Sequence, residues 1–236
     1  MVMTNTVRLT LDVRSVGDIA LVRCSGRVVA GPEAELLGER VSSLLRDQRD
    51  IVLHLEEVVF IDSSGLGMLV RLLTSTRRSG GDLKLCNVAA EIHKILKLTN
   101  LISLFDVQES EADAVSAFYK RKTTTPAMQS KGPVVLCVDE SADVLAYLRE
   151  LLRGAGYQVL TNNNLPDSLI LIPATHPGLI IVGPSLKSSP ATRQAFAWKC
   201  AATPIVELGD EFSTLHAGTA ASELLDKVRL RLDQNQ

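Results

Sequence analysis

The sequence predicts an α/β protein in two domains, and three observations carry that expectation. Apolar runs of strand length alternate with longer stretches of helical spacing along the whole chain. A basic, aperiodic segment from Lys120 to Lys131 interrupts the alternation near the middle. The decapeptide Val58–Gly67, in which an acid, two serines and two glycines follow an apolar run, marks one loop-to-helix junction as chemically distinct.

In the first block, Val7–Val13 and Ile19–Val28 alternate around Gly17-Asp18 and predict a β-hairpin. Gly31-Pro32 punctuates the chain. Glu33–Arg46 then carries Leu36, Leu37, Val41, Leu44 and Leu45 at helical spacing, acidic at its start and basic at its end as the helix dipole favours. Ile51–Leu55 predicts a strand, with Glu56–Ile61 leading into the central motif. From Gly65 to Thr74, Leu66, Met68, Leu69, Val70, Leu72 and Leu73 cover nearly every face, so this helix is buried or meets a partner at its exposed end. Leu83–Asn87 predicts a strand, Glu91–Leu98 a helix, Leu104–Val107 a short strand, and Glu109–Tyr119 a helix started by Ser110.

Charge supports the boundary. Residues 1–120 carry 14 basic and 16 acidic groups, residues 121–132 carry 3 basic and none acidic, and residues 133–236 carry 8 and 11. Two mildly acidic domains, 1–120 and 133–236, are therefore expected to flank a solvated linker at 121–132. The second domain opens on the strand Val134–Val138, which ends in Asp139-Glu140, with Ser141 capping a helix over Ala142–Arg153. Tyr157–Thr161, Leu179–Val182 and Pro204–Leu208 predict strands. Leu165–Ile172, Ala191–Cys200 and Thr219–Leu232 predict helices. Such alternation implies a parallel sheet covered on both faces.

Composition narrows the function. A net charge of −2 argues against electrostatic nucleic-acid binding. No apolar run reaches the roughly 18 residues of a membrane helix, and Met1–Asp12 lacks a signal peptide's apolar core. Cys24, Cys86, Cys137 and Cys200 lie far apart in apolar settings, as buried thiols of a reducing compartment do, and a cytoplasmic protein is expected. His54, His93, His176 and His216 share no metal-ligand spacing, and no nucleophile elbow or phosphate-binding loop is present. Neither a metal, a cofactor nor an enzymatic activity is expected.

The chemistry concentrates at Asp62, Ser63, Ser64, Gly65, Leu66 and Gly67. A helix start directs backbone N–H groups and the positive end of the helix dipole at one spot, where a hydroxyl can accept a phosphate. Two adjacent serines allow Ser64 to cap the helix while Ser63 stays exposed; Asp62 either orients the hydroxyl or caps. Arg71, Arg77 and Arg78, on or just after that helix, are either solvated charges, as most on helices are, or flank a partner's acidic rim.

Residues from about 7 to 118 resemble a STAS domain, the fold of bacterial anti-sigma factor antagonists. The resemblance rests on Phe60-Ile61-Asp62-Ser63-Ser64-Gly65-Leu66-Gly67, on Leu98-Thr99-Asn100-Leu101 with Leu104-Phe105, and on the element order. It implies a mixed sheet with helices and phosphorylation of Ser63 by a serine kinase that is itself the anti-sigma factor. A serine phosphatase would reverse it, and the six residues from Asp62 to Gly67 would form the partner-binding surface. Residues 133–236 resemble a flavodoxin-like receiver domain of two-component signalling. Asp139-Glu140 match that family's acidic pair, while Gly183 stands where its phosphoacceptor aspartate belongs and Ala217 where its lysine belongs. The resemblance implies a pseudo-receiver used for protein interaction, with Asp139 and Glu140 a vestigial metal pair. The expected whole is a non-enzymatic partner switch in transcription regulation, compatible with a homodimer. The alternatives are a STAS adaptor or ligand-binding module that is not phosphorylated, and an active phosphorelay receiver.

Overall fold

The Gly17-Asp18 turn closes the predicted hairpin. β1 (Thr10–Val16) and β2 (Ile19–Val28) pair antiparallel from Thr10–Ser25 to Val16–Ile19, and Gly17 takes the positive φ that the reversal needs. The computed structural model describes residues 7–124, 132–187, 189–200, 202–209 and 217–233. They fall into two compact units, divided between Phe118 and Tyr119.

In the first unit the sheet runs β1-β2-β3-β4-β5, with β3 (Asp50–Ile61), β4 (Leu83–Cys86) and β5 (Asp106–Gln108) continuing parallel to β2. The expected strand over Ile51–Leu55 is part of a single strand of 12 residues. Glu56 and Glu57 do not break it, because both side chains are exposed and Ser25 Oγ on β2 hydrogen-bonds Glu57. The strand expected at Leu104–Val107 shifts to Asp106–Gln108, because Leu101–Leu104 form a 3-10 turn after Asn100, which sits at φ 61.

Residues at alternate positions of the sheet point to opposite sides. Val22, Leu53 and Leu85 share one core with Leu37 and Val41 of α1 (Pro32–Leu44). The same core takes Leu69, Leu72 and Leu73 of α2 (Ser63–Arg78) and Ile92 and Leu96 of α3 (Ala90–Leu98). Intervening residues face α4 (Glu111–Thr124), whose Ala114, Val115 and Phe118 are buried. The Lys84 ammonium lies 4.8 Å from the Phe118 ring centroid. Glu111, in the first turn of α4, accepts from Arg23 at 3.1 Å, pairs with Arg14, and lies 2.6 Å from His54 Nδ1. One carboxylate thus ties α4 to β1, β2 and β3. Ser110 starts this helix as expected, its Oγ accepting from Asp113 N–H.

α4 continues to Thr124, so the linker expected from residue 121 begins as helix. Lys120 and Arg121 sit near a helix C-terminus, where cations are favoured, which explains why a basic run reads as a tether yet folds as a last turn. Residues 125–131 of the expected linker lie outside the described residues.

The second unit holds a parallel sheet ordered β7-β6-β8-β9, from β6 (Val134–Val138), β7 (Gln158–Asn162), β8 (Leu179–Val182) and β9 (Ile205–Glu207). On one face Val135, Cys137, Ile181 and Val206 pack with Leu148 and Leu152 of α5 (Ala142–Gly154) and Leu224 and Val228 of α8 (Ala217–Asp233). Leu136 and Ile180, buried on the other face, are covered from the side of α6 (Leu165–Thr175) and α7 (Pro190–Lys199). Ser141 caps α5 as expected, accepting from Val144 N–H. All four cysteines are free and buried; burial pushes the Cys24, Cys86 and Cys137 thiols up to about 12 and Cys200 to about 11. Among the described residues no helix is long and apolar enough to cross a membrane.

Burial alone would raise the Glu111 carboxyl, but the His54 contact, Arg14 and Arg23 outweigh it and hold its pKa below the ordinary 4.5. A carboxyl lowered on folding stabilises the fold above its unfolded value and loses that contribution as pH falls through the folded one. Glu111→Gln is therefore expected to cost about 1–3 kcal/mol near neutrality. In denaturant titrations the gap to the unsubstituted protein should be full above the ordinary 4.5 and narrow as pH falls through the lowered folded value.

Candidate functional site

Asp62 ends β3 and caps α2. Its backbone is extended, its Oδ1 accepts from Gly65 N–H at 2.8 Å, and its C=O accepts from Leu66 N–H at 2.9 Å. The other carboxylate oxygen accepts from Ala30 N–H at 3.0 Å, tying the loop between β2 and α1 to the helix start. The N–H groups of Ala30 and Gly65, with lesser help from Ser64 N–H and Arg27, hold its pKa below the usual aspartate value. The cap expected on Ser64 is therefore Asp62. Both residue types cap well; the helix begins two residues earlier, at Ser63 rather than Gly65, because the aspartate side chain reaches the N–H three residues on.

This cap takes the Gly65 N–H, one of the helix-start donors that a phosphate could otherwise use. What remains is two exposed hydroxyls, Ser63 and Ser64, neither hydrogen-bonded to any described residue. Gly65 is buried under the chain: a Cβ there would lie 2.2 Å from Val28 O, so only glycine lets the helix start approach β2. Gly67 is exposed, and a Cβ there would meet nothing within 4 Å.

Of the six motif residues, Ser63, Ser64 and Gly67 are exposed and Asp62 is half-buried, whereas Gly65 and Leu66 belong to the interior. An exposed stripe runs from Ser64 through Gly67, Arg71 and Thr74 to Arg78 at helical spacing. Arg77 leaves that stripe to pair with Asp82 at 2.9 Å. Beside the motif, Val59 and Phe60 are 64% and 43% exposed, and the Arg27 guanidinium stacks 4.8 Å from the Phe60 ring centroid. Sequence reasoning missed Arg27, Ala30 and Val59 as parts of this surface. The run Val58-Val59-Phe60 reads as buried, and only its position at the end of β3 brings Val59 and Phe60 out.

In the second unit the acidic pair is engaged with backbone. Asp139 is fully buried; its Oδ1 accepts from Ser141 N–H at 2.7 Å and its Oδ2 from Ser185 N–H at 2.9 Å. Glu140 accepts from Lys187 N–H at 2.7 Å. A Cβ at Gly183 would lie 2.0 Å from Asp139 Oδ2, so this carboxylate fills the space a side chain at 183 would need. Among the described residues no group of three His, Cys, Asp or Glu side chains is placed to hold a metal ion. The side chain of Ala217 lies outside the described residues.

The two glycines of the motif separate packing from surface. Gly65→Ala is expected to destabilise the first unit by about 3 kcal/mol. Gly67→Ala should instead stabilise it by up to about 1 kcal/mol through helix propensity. Thermal or denaturant unfolding of the two variants measures both.

Residues 10–114 match the STAS domain family. The chain is similar to the anti-sigma F factor antagonist of Paenibacillus polymyxa, 25% identical over 120 residues, which are 47% of this chain and 95% of that protein. It is 28% identical over 82 residues to the anti-sigma-B factor antagonist of Bacillus subtilis, covering 35% of this chain and 75% of the relative. The crystal structure of an anti-sigma factor antagonist from Mycobacterium paratuberculosis aligns with a TM-score of 0.42 and 21% identity, over 47% of this chain and 93% of that one. The first unit, which holds the STAS match, is an α/β fold built on a mixed sheet, and the second is a separate parallel α/β sheet.

Proposed function

We propose that this protein is an anti-sigma factor antagonist switched by phosphorylation of Ser63. The observation that carries the reading is the state of that serine. It is the first residue of α2, it is exposed, and its hydroxyl has no hydrogen bond among the described residues, because Asp62 has taken the capping role. A kinase reaching this surface meets an acceptor oxygen it need not first release from the fold.

The unmodified surface mixes exposed apolar groups at Val59 and Phe60 with the small polar start of α2, and it binds an anti-sigma factor that is also a serine kinase. That partner brings ATP and Mg²⁺, and this chain supplies the substrate hydroxyl. The transferred phosphate adds about −1.5 to −2 charges. It arrives beside an ionised Asp62 that already takes the Gly65 N–H, so less of the helix start is left to absorb the added charge. Desolvating it inside the complex opposes binding, and a loss of about 3 kcal/mol lowers affinity more than a hundredfold. A serine phosphatase resets the switch. Arg71 and Arg78, exposed along α2, serve the partner's acidic rim, whereas Arg77 is committed to Asp82.

The second unit acts as a receiver-like interaction domain that cannot be phosphorylated. Gly183 offers no acceptor at the end of β8; Asp139 spends its oxygens on Ser141 N–H and Ser185 N–H, and one Glu140 oxygen accepts from Lys187 N–H. With both Asp139 oxygens so bound, the pair lacks the several free, convergent oxygens that Mg²⁺ requires.

Incubation with the cognate kinase and labelled ATP is expected to label Ser63 and to leave Ser63→Ala unlabelled. Ser63→Asp should weaken capture of the kinase while Ser63→Ala retains it. Label persisting in Ser63→Ala overturns the assignment. Acetyl phosphate is expected to label neither the unsubstituted chain nor Gly183→Asp, since Asp139 holds the space at position 183; a labelled second unit would contradict the reading.

A further inference from the structure

The sheet of the second unit ends at β9, which pairs with β8 on one side. Pro204 C=O accepts from Ile180 N–H at 3.0 Å, and Leu208 N–H donates to Val182 C=O at 2.8 Å. With Ile180 opposite Ile205 and Val182 opposite Glu207, the backbone groups of Pro204, Val206 and Leu208 turn toward β8. Successive residues of a strand direct their backbone groups to opposite sides. The N–H and C=O groups of Ile205 and Glu207 therefore point outward, where no described residue pairs with them.

The same two residues line a pocket. It measures about 350 Å3 and is walled by Val182, Gly183, Leu186 and Phe196 together with Ile205 and Glu207. Phe196 of α7 and Leu186 are buried, and the loop that supplies Leu186 is held by Asp139 and Glu140 through Ser185 and Lys187. Glu207 is exposed, a carboxylate beside mostly apolar side chains in a hollow whose open surface is about half polar. A strand edge that no described residue pairs and a hollow lined mostly by apolar side chains on one face of that strand are the two halves of a strand-addition site: main-chain bonds give affinity, and pockets for alternate side chains give specificity.

We propose that β9 is a docking edge for an extended peptide segment of a partner protein. The segment adds as a further strand, pairs with the outward groups of Ile205 and Glu207, and seats an apolar side chain in the pocket. It also carries a Lys or Arg that meets the Glu207 carboxylate. Charge favours such a partner over a second copy of this chain, because Pro204–Leu208 brings Glu207 and no cation to an edge-to-edge pairing. The role is independent of Ser63 and needs no phosphate chemistry in the second unit.

The test is amide hydrogen exchange on the full chain, with and without an acetylated and amidated heptapeptide that alternates leucine and threonine around a central lysine. In the free protein the Ile205 and Glu207 amides should exchange fast, while those of Val206 and Leu208 are protected. The peptide should slow Ile205 and Glu207 by roughly tenfold or more. The same peptide with alternate amides N-methylated should leave them unchanged, and Glu207→Gln should weaken binding by about threefold. Three outcomes overturn the proposal. One is protection of Ile205 and Glu207 already present in dilute protein, or no response to the peptide at about 1 mM. Another is protection that rises with protein concentration alone, which assigns the edge to a second copy. The third is equal binding by the N-methylated peptide, which leaves only the hollow.

Discussion

The carboxylate of Asp62 is the interaction on which the first unit's surface depends. One of its oxygens caps α2 through Gly65 N–H and the other holds Ala30 N–H in the loop before α1. Because both oxygens are engaged, the end of β3, the start of α2 and the loop after β2 are fixed against one another. The close approach of Gly65 to Val28 O completes that arrangement. The consequence for function is indirect. With the cap supplied by aspartate, neither serine is drawn inward to the helix N–H groups, and Ser63 stands at the surface with its hydroxyl unused.

The same physical device, a carboxylate accepting backbone N–H groups, recurs in the second unit with the opposite outcome. Asp139 bonds to Ser141 and Ser185 N–H and lies where a side chain at position 183 would project. At Asp62 the device leaves the neighbouring Ser63 hydroxyl unbonded; at Asp139 it fills the space a side chain at position 183 would take. Glu140 extends the second clamp to Lys187 and holds the loop that walls the pocket beside β9. On the proposed reading, the two units divide their labour accordingly: the first carries a covalent switch, and the second carries contacts alone.

Much of the fold was legible because periodicity and turn residues agree. Gly17-Asp18 marked the hairpin, and the apolar strands Val134–Val138 and Leu179–Val182 end where the sequence puts them. The misreadings have local causes. Glu56-Glu57 suggested the end of a strand, yet a strand's outward positions accept acids, and β2 runs alongside as far as Ile61. Lys120-Arg121 suggested a tether, yet cations belong at a helix C-terminus. At the candidate site, Ser63 and its neighbours stood out by type and order. The choice between Asp62 and Ser64 as cap could not be read from type, since each is a good one. The Ala30 tether, the stack of Arg27 on Phe60 and the clamp on Asp139 join residues distant in sequence, so only the folded chain shows them.

The central claim is that charge placed on Ser63 is not fully absorbed by the helix start and so breaks the complex. Its most direct test is calorimetric titration of the anti-sigma kinase with two forms of the full chain, one unmodified and one carrying phosphoserine at position 63 by synthesis. The account expects the unmodified form to bind and the phosphorylated form to bind at least about a hundredfold more weakly. Equal affinities for the two forms would contradict it.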